Sequence, residues 1–366
     1  MTFRFDFGTA GAAGENYRKV TPADGYDTKQ GYGFVNGAQV SAARRSGEAL
    51  TGDFCIPFDA SFVVDVPDGN YIVNLAIGDE LAPTCTSLKT NGERLILKDR
   101  RTVEGQIAWE KFSVNVRGGK LKLRFGGLAP RVNALEIVPS PELITLFLAG
   151  DSTVTDPRDG IFPQSGWGQM LPYYFRHDVA VANHAVGGRS SKSFIGEGRL
   201  DVIKEEIKEG DFLFIQFGHN DQKPDEPRFT DPATTYKPYL MQYVEVARSA
   251  NATPVLITSV QRRHFDEAGK LKDTHGAYLD AVRELAREEG VALIDLAEKS
   301  KRLYEELGPE ETKKLLLWGA PGEWLNYSSG VQDNTHFQEY GSLRIAELVV
   351  QGIRELNLMP LTMYLR

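Results

Sequence analysis

The sequence of 366 residues predicts an α/β protein in two domains, an all-β sandwich over residues 1–139 and, over 140–366, a parallel sheet covered by helices on both faces. Three observations carry this. Up to Pro139 the chain breaks into short alternating segments separated by Pro67-Asp68-Gly69-Asn70, Asn91-Gly92, Gly118-Gly119 and Gly126-Gly127, with no long helical period. After Ser140-Pro141 apolar runs alternate with amphipathic stretches, the pattern of a sheet built from strand-helix-strand units. The first of those runs, Leu143–Leu148, stops abruptly at Gly150-Asp151-Ser152-Thr153, a turn that would set a serine on the end of a buried strand.

Strands are expected at 3–7, 61–66, 71–77, 87–90, 94–97, 110–116, 120–125 and 134–138. In the second domain they are expected at 143–148, 179–183, 212–217, 254–259 and 291–294, with helices at 201–209, 234–249, 273–289, 297–307 and 339–355. The length exceeds a single core, so two domains are the natural division. Pro139-Ser140-Pro141 makes a short, stiff connection.

A net charge of −8 and a pI near 5.4 argue against nucleic acid or an anionic membrane as the main partner. No stretch reaches the length of a membrane span, and Met1–Gly11 lacks the basic and apolar regions of a secretory signal, so a cytoplasmic protein is expected. Cys55 and Cys85 are too few for a disulfide framework or a cysteine-based zinc site; burial as small apolar residues is the expectation, a single bridge the alternative.

Four segments carry candidate chemistry. Taken singly, Gly150-Asp151-Ser152 is equally an ordinary turn with a capping serine, and Gly187-Gly188, after the second strand, is an ordinary glycine turn. Asn220, after the third strand, also reads as a helix cap, and Asp333-Asn334-Thr335-His336 standing alone reads as a surface turn near the last helix. Together they supply a nucleophile, a base, an orienting carboxylate and donors for an oxyanion, the set that acyl transfer requires. Three of the four follow strands of one sheet and so converge on one edge. Asp151 is expected to brace the turn, and His184, His219, His264 and His275 to be dispensable for the chemical step, with His264 and His275 solvated.

In this order the blocks resemble the SGNH (GDSL) hydrolase family over residues 143–357, with Ser152, Gly188, Asn220 and His336 at the naming positions and Asp333 completing the triad. The resemblance implies a three-layer, flavodoxin-like domain, Ser152, Asp333 and His336 as catalytic residues, and an oxyanion hole of Ser152, Gly188 and Asn220. Within the family the segments Asn183…Gly188-Arg189-Ser190, Gly218–Asp221 and Pro321–Phe337 are similar to rhamnogalacturonan acetylesterases. This implies an esterase acting on acetylated plant-cell-wall glycans without metal or cofactor, and it makes Trp324 and Tyr327 candidate sugar contacts. The alternatives within the family are an acetylxylan esterase and an acyl lipase or thioesterase; the loops 156–164 and 318–334, rich in Gly, Pro, polar and aromatic residues, suit sugars better than the acyl channel of the latter. Asp65–Asp79 resembles galactose-binding-like jelly rolls, with Tyr17, Tyr26, Tyr32, Phe34 and Trp109 as aromatics able to stack on sugars; a glycan-binding protein with an inactive second domain is the remaining alternative. The first domain is expected to serve substrate capture rather than chemistry.

Overall fold

A computed structural model describes all residues except 158–160, which include part of the expected sugar-facing loop. The chain divides into two units, Met1–Leu143 with Phe175–Ala180 and Arg366, and Ile144–Tyr174 with Val181–Leu365.

The first unit is an all-β sandwich. One sheet orders its strands as Ile107–Val116, Gly69–Gly78, Ala134–Pro139, Phe3–Phe7 and Arg18–Val20, the other as Tyr32–Val35, Ala60–Asp65, Lys120–Ala129, Thr84–Thr90 and Arg94–Thr102. Alternation explains the arrangement: Tyr71, Val73 and Leu75 point inward from one sheet and Leu121, Leu123 and Phe125 from the other, forming one buried core. Phe62 anchors it, meeting Phe5, Phe7 and Phe34 edge-on at centroid distances of 5.1, 4.9 and 5.3 Å. The buried Asp6 and Asp53 share the Lys19 ammonium at 3.1 and 2.9 Å, with Arg44 a further partner of Asp53 at 3.6 Å, and the buried Asp79 is paired with Arg45 and Arg131. Cys55 and Cys85 are both free and buried, and burial raises the Cys55 thiol to about 12. Of the expected sugar-stacking aromatics, Phe34 belongs to the core and Tyr17 and Tyr26 are engaged by Glu136 and Asp65; Trp109 alone is exposed, at 49%.

In the second unit a parallel sheet runs in the order Val179–Asn183, Ile144–Gly150, Phe212–Gln216, Thr253–Ile257, Ala292–Ile294. Counted along the chain this is 2-1-3-4-5, the flavodoxin-like order, whose switch point lies between the first and third strands. Phe147, Ala149, Leu213 and Ile215 face a core completed by Leu200 and Ile203 of helix Arg199–Glu206, Leu240, Tyr243 and Val244 of Tyr236–Ser249, and Val282 and Leu285 of Ala277–Glu289. The final helix, Glu339–Glu355, buries Ile345, Val349 and Ile353 at helical spacing. Among the described residues no helix is long and apolar enough to cross a membrane.

Several expected elements shift. The helix expected from Asp273 begins at Ala277, because Asp273 Oδ1 takes the N–H groups of His275 and Gly276 in a turn. His275 is buried there, not solvated: one ring nitrogen meets the Val260 carbonyl at 3.1 Å, the other Gln222 at 3.2 Å. Asp333–His336 lies not in a turn but in strand Val331–Gln338, the middle of a small antiparallel sheet with Gln164–Ser165 and Leu316–Gly319.

Candidate active site

Ser152 stands just past strand Ile144–Gly150, at the switch point. Gly150 is required there: a Cβ on it would fall 2.6 Å from the Val154 side chain and 3.0 Å from the Gln216 carbonyl. The turn is braced from inside. Asp151, fully buried, accepts the Thr153 N–H at 2.9 Å and its hydroxyl at 2.8 Å, while the other carboxylate oxygen meets His219 Nδ1 at 3.2 Å. Gln216, last in the neighbouring strand, donates to Thr153 Oγ1 at 2.7 Å and accepts from the Trp167 indole at 2.9 Å. A continuous buried network thus ties the Ser152 turn to the next strand and to the segment bearing Asn220.

The opposite rim follows from strand pairing that continues past the strand ends. His184 N–H donates to the Leu148 carbonyl and Val186 N–H to that of Gly150, each at 3.0 Å, which brings Gly187 beside Ser152. A Cβ on Gly187 would lie 3.5 Å from Ser152 Cβ. Asn183 fixes this rim by donating to the Val154 carbonyl and to Asp156, both at 2.9 Å. Gly188 has φ of +82°, a left-handed conformation that glycine adopts without strain. The Asn220 amide donates one hydrogen to the Arg189 carbonyl at 3.1 Å, so it is held against the Gly188-Arg189 turn.

His336 reaches Ser152 from the small antiparallel sheet. Its register jumps: Leu316 pairs with Phe337 and Trp318 with Gln332, so four residues, 333–336, face a single intervening residue of the partner strand. A regular strand would send residues three apart to opposite faces. The bulge instead lets Asp333 Oδ1 take the N–H groups of Thr335 and His336 at 2.7 and 3.0 Å and Oδ2 meet His336 Nδ1 at 2.7 Å. His336 Nε2 is 2.8 Å from Ser152 Oγ.

Burial pushes the Asp333 carboxyl up, but the His336 ring's hydrogen bond and charge and the two N–H groups outweigh it, and it lies below its ordinary value. An ionised carboxylate only accepts, so His336 carries its proton on Nδ1 and offers a lone pair at Nε2 to the Ser152 hydroxyl. Burial lowers His219 against the pull of Asp151, and the charges of Arg262 and His336 lower it further; a neutral His219 donates Nδ1–H to an ionised Asp151.

A cleft of about 460 Å³ opens at Ser152, lined by Thr155, Asp156, Pro157, Ile161, Gln164, Asn183, Ala185, Val186, Gly187 and Arg189. Tyr327 stands behind its wall, its hydroxyl 3.4 Å from the Ile161 carbonyl and from Gln164 Oε1. Trp324 is half-buried with its ring packed on Gly319, and is not part of the lining. The structure therefore gathers Ser152, Asp333 and His336 into one hydrogen-bonded chain and ties Asn220 to the turn that follows Gly188. The sequence reading missed the Asp151–His219 contact, Gln216 and the position of Arg189, since nothing in the local sequence marks a contact made across the sheet.

Residues 148–342 match the GDSL-like Lipase/Acylhydrolase family. The chain belongs to that family. Residues 3–127 match a second model, the Beta-agarase/YXIM esterase-like, galactose-binding domain-like family. The rhamnogalacturonan acetylesterase RhgT of Bacillus subtilis is 51% identical over 215 residues, covering 59% of this chain and 91% of that protein. The uncharacterized esterase YxiM of the same organism is 29% identical over 371 residues, 96% of this chain and 90% of that protein. The crystal structure of YxiM superimposes with a TM-score of 0.55 at 27% identity, covering 98% of this chain and 99% of that one. This GDSL-family chain is a carboxylic ester hydrolase joined to a galactose-binding-like domain, which sets aside the reading of an inactive scaffold.

Proposed function

We propose that this GDSL-family esterase removes O-acetyl groups from plant-cell-wall glycans of the rhamnogalacturonan type, with Ser152 as nucleophile, His336 as general base and acid, and Asp333 as the residue that orients and stabilises His336. The observation that carries the reading is the chain Asp333–His336–Ser152, with separations of 2.7 and 2.8 Å. Ser152 Oγ attacks the acetyl carbonyl as its proton passes to His336 Nε2. The developing oxyanion is held by the N–H groups of Ser152 and Gly188 and the amide hydrogen of Asn220 not given to Arg189; each such donor is worth ~3 kcal/mol in the transition state. Collapse of the tetrahedral intermediate expels the sugar oxygen, which takes the proton from His336. Water then repeats the cycle on the acetyl-serine and releases acetate.

Two observations favour an acetylated sugar over a lipid acyl ester. The relatives at 51% and 44% identity are named rhamnogalacturonan acetylesterase and probable rhamnogalacturonan acetylesterase. The cleft wall presents Thr155, Asp156, Gln164, Asn183 and Arg189, hydrogen-bonding groups with no use to an alkyl chain.

The test is acetate release from acetylated rhamnogalacturonan, xylan and mannan oligosaccharides beside nitrophenyl acetate and octanoate. The expected result is the highest kcat/KM on acetylated rhamnogalacturonan and hydrolysis of the acetate far above the octanoate. Highest efficiency on xylan would replace the substrate class, and equal or better use of the octanoate would replace it with a lipase or thioesterase activity.

A further inference from the structure

Among the described residues Arg189 is the basic residue of the cleft lining, and its bonding leaves part of its guanidinium unused. Of the five N–H donors of a guanidinium, Nε–H is shared by the two Glu197 oxygens at 3.0 and 3.1 Å, and Nη1 donates to the Gly187 carbonyl at 2.8 Å. Among the described residues no hydrogen bond engages Nη2. Nor is its charge cancelled. Glu197 is shared with Arg199 at 2.6 Å, so two guanidinium groups face one carboxylate and one positive charge remains. Among the described residues the other charged residue of the lining is Asp156, which keeps its negative charge while accepting a hydrogen bond from Asn183 and makes no ion pair with Arg189. The two anchors also fix the geometry: Glu197 holds one edge of the guanidinium, and the Gly187 carbonyl ties it to the turn beside Ser152. A guanidinium held in this way loses little further freedom on binding.

A chain of net charge −8 meets a polyanionic glycan at a disadvantage unless it sets a cationic donor where a substrate carboxylate sits. We infer that Arg189 is a specificity-determining residue that pairs with the carboxylate of a uronosyl unit placed next to Ser152, so that the esterase selects acetylated uronate-containing glycans over neutral ones. This rests on the reading above of rhamnogalacturonan, a glycan that carries uronosyl carboxylates, and adds to it the residue that reads them. A neutral acetylated xylan or mannan would leave the Arg189 Nη2 hydrogens without an anionic partner, and charge-assisted hydrogen bonds are about twice as strong as neutral ones.

The experiment measures competitive inhibition of nitrophenyl acetate hydrolysis by oligogalacturonate and by the same oligomer with its carboxyl groups methyl-esterified. It uses wild type, Arg189→Gln and Arg189→Lys. Wild type is expected to bind the free acid about tenfold more tightly than the methyl ester, a preference that shrinks as salt rises. In Arg189→Gln the ratio falls to near one, and Arg189→Lys restores part of it, since an ammonium supplies charge without the planar fork. Because the readout is a ratio between two inhibitors of one variant, a general loss of activity on substitution does not move it. A wild-type ratio near one, or a preference that survives in Arg189→Gln, overturns the inference. Acetate release from the acetylated oligosaccharides is measured alongside. Release from rhamnogalacturonan without any carboxylate preference overturns the role of Arg189 alone, whereas a carboxylate preference without release from any glycan overturns the proposed function and upholds Arg189.

Discussion

His336 Nε2 lies 2.8 Å from Ser152 Oγ although 184 positions separate the two residues in the chain. Two independent constructions produce this contact. Strand Ile144–Gly150 delivers Ser152 to the switch point of the parallel sheet, and a bulge in strand Val331–Gln338 turns Asp333 and His336 toward it. Neither works without the other, so the site is sensitive to whatever disturbs the bulge or the Asp151 brace.

Asp333→Asn keeps the shape of the site and removes the charge. An amide can present its N–H₂ to His336 Nδ1, which favours the tautomer with its proton on Nε2 and takes away the lone pair that receives the Ser152 proton. A fall in kcat of about 10⁴-fold with KM little changed is expected. Steady-state kinetics on nitrophenyl acetate decide it; a loss below tenfold would show that the 2.7 Å contact has no part in the reaction.

Asn220→Ala removes a side-chain donor and Gly188→Ala strains a backbone at φ +82°. Asn220→Ala is expected to lower kcat by about 10²–10³-fold, the cost of one oxyanion donor; Gly188→Ala keeps its N–H and lowers kcat only as far as the strain displaces it, while its thermal melting changes much more than that of Asn220→Ala. Full activity of Asn220→Ala would remove that residue from the oxyanion hole.

His219 has a supporting part. Replacing it by alanine leaves the fully buried Asp151 carboxylate with Thr153 alone, and loss of a hydrogen bond to a buried charged group costs roughly 1.5–3 kcal/mol. A marked drop in melting temperature is expected, with a kcat loss far smaller than that of the triad variants. An unchanged melting curve would contradict it.

Asp221 offers a test by pH. It accepts hydrogen bonds from the Ser191 N–H and hydroxyl and the Thr230 hydroxyl, but burial outweighs them and raises the carboxyl from 3.8 to about 6. The native state thus favours the protonated acid relative to the unfolded chain. Its contribution to stability is fully present below pH about 4 and is lost as pH rises through about 6, a change of roughly 3 kcal/mol. The melting temperature of wild type should therefore fall relative to Asp221→Asn between pH 4 and 7; parallel curves would contradict the assignment.

Much of this was legible in the sequence because the signals are local. An apolar run ending in Gly150-Asp151-Ser152 marks strand and turn together, and Val179–Asn183 is bounded in the structure as its apolar pattern bounds it. The long helices followed their periodicity, as in Glu339–Glu355. What escaped notice depends on distant partners. Val331–Gln338 is a polar run without period-two alternation, and it becomes a strand only because Gln164–Ser165 and Leu316–Gly319 lie beside it. Arg18–Val20, Tyr32–Val35, Val40–Arg44 and Asp53–Pro57 were missed for a related reason: they are short or rich in small residues, and their pairing partners define them. His275 looked solvated because its neighbours Asp273, Thr274 and Gly276 are polar or small; its burial comes from packing near Val260 and His219. Arg189 read as part of a glycine turn, and only the fold sets it in the cleft wall.

The central claim is that Ser152 and His336 act as one catalytic unit, and the most direct test is kcat/KM on nitrophenyl acetate for Ser152→Ala, His336→Ala and the double variant, each with a melting curve close to wild type. Residues acting as a unit are not additive. Each single variant should lose at least about 10⁴-fold, and the double variant should be no worse than the poorer single. Retention of more than a tenth of wild-type activity by either single variant, or a double variant whose loss is the product of the two, would contradict the account.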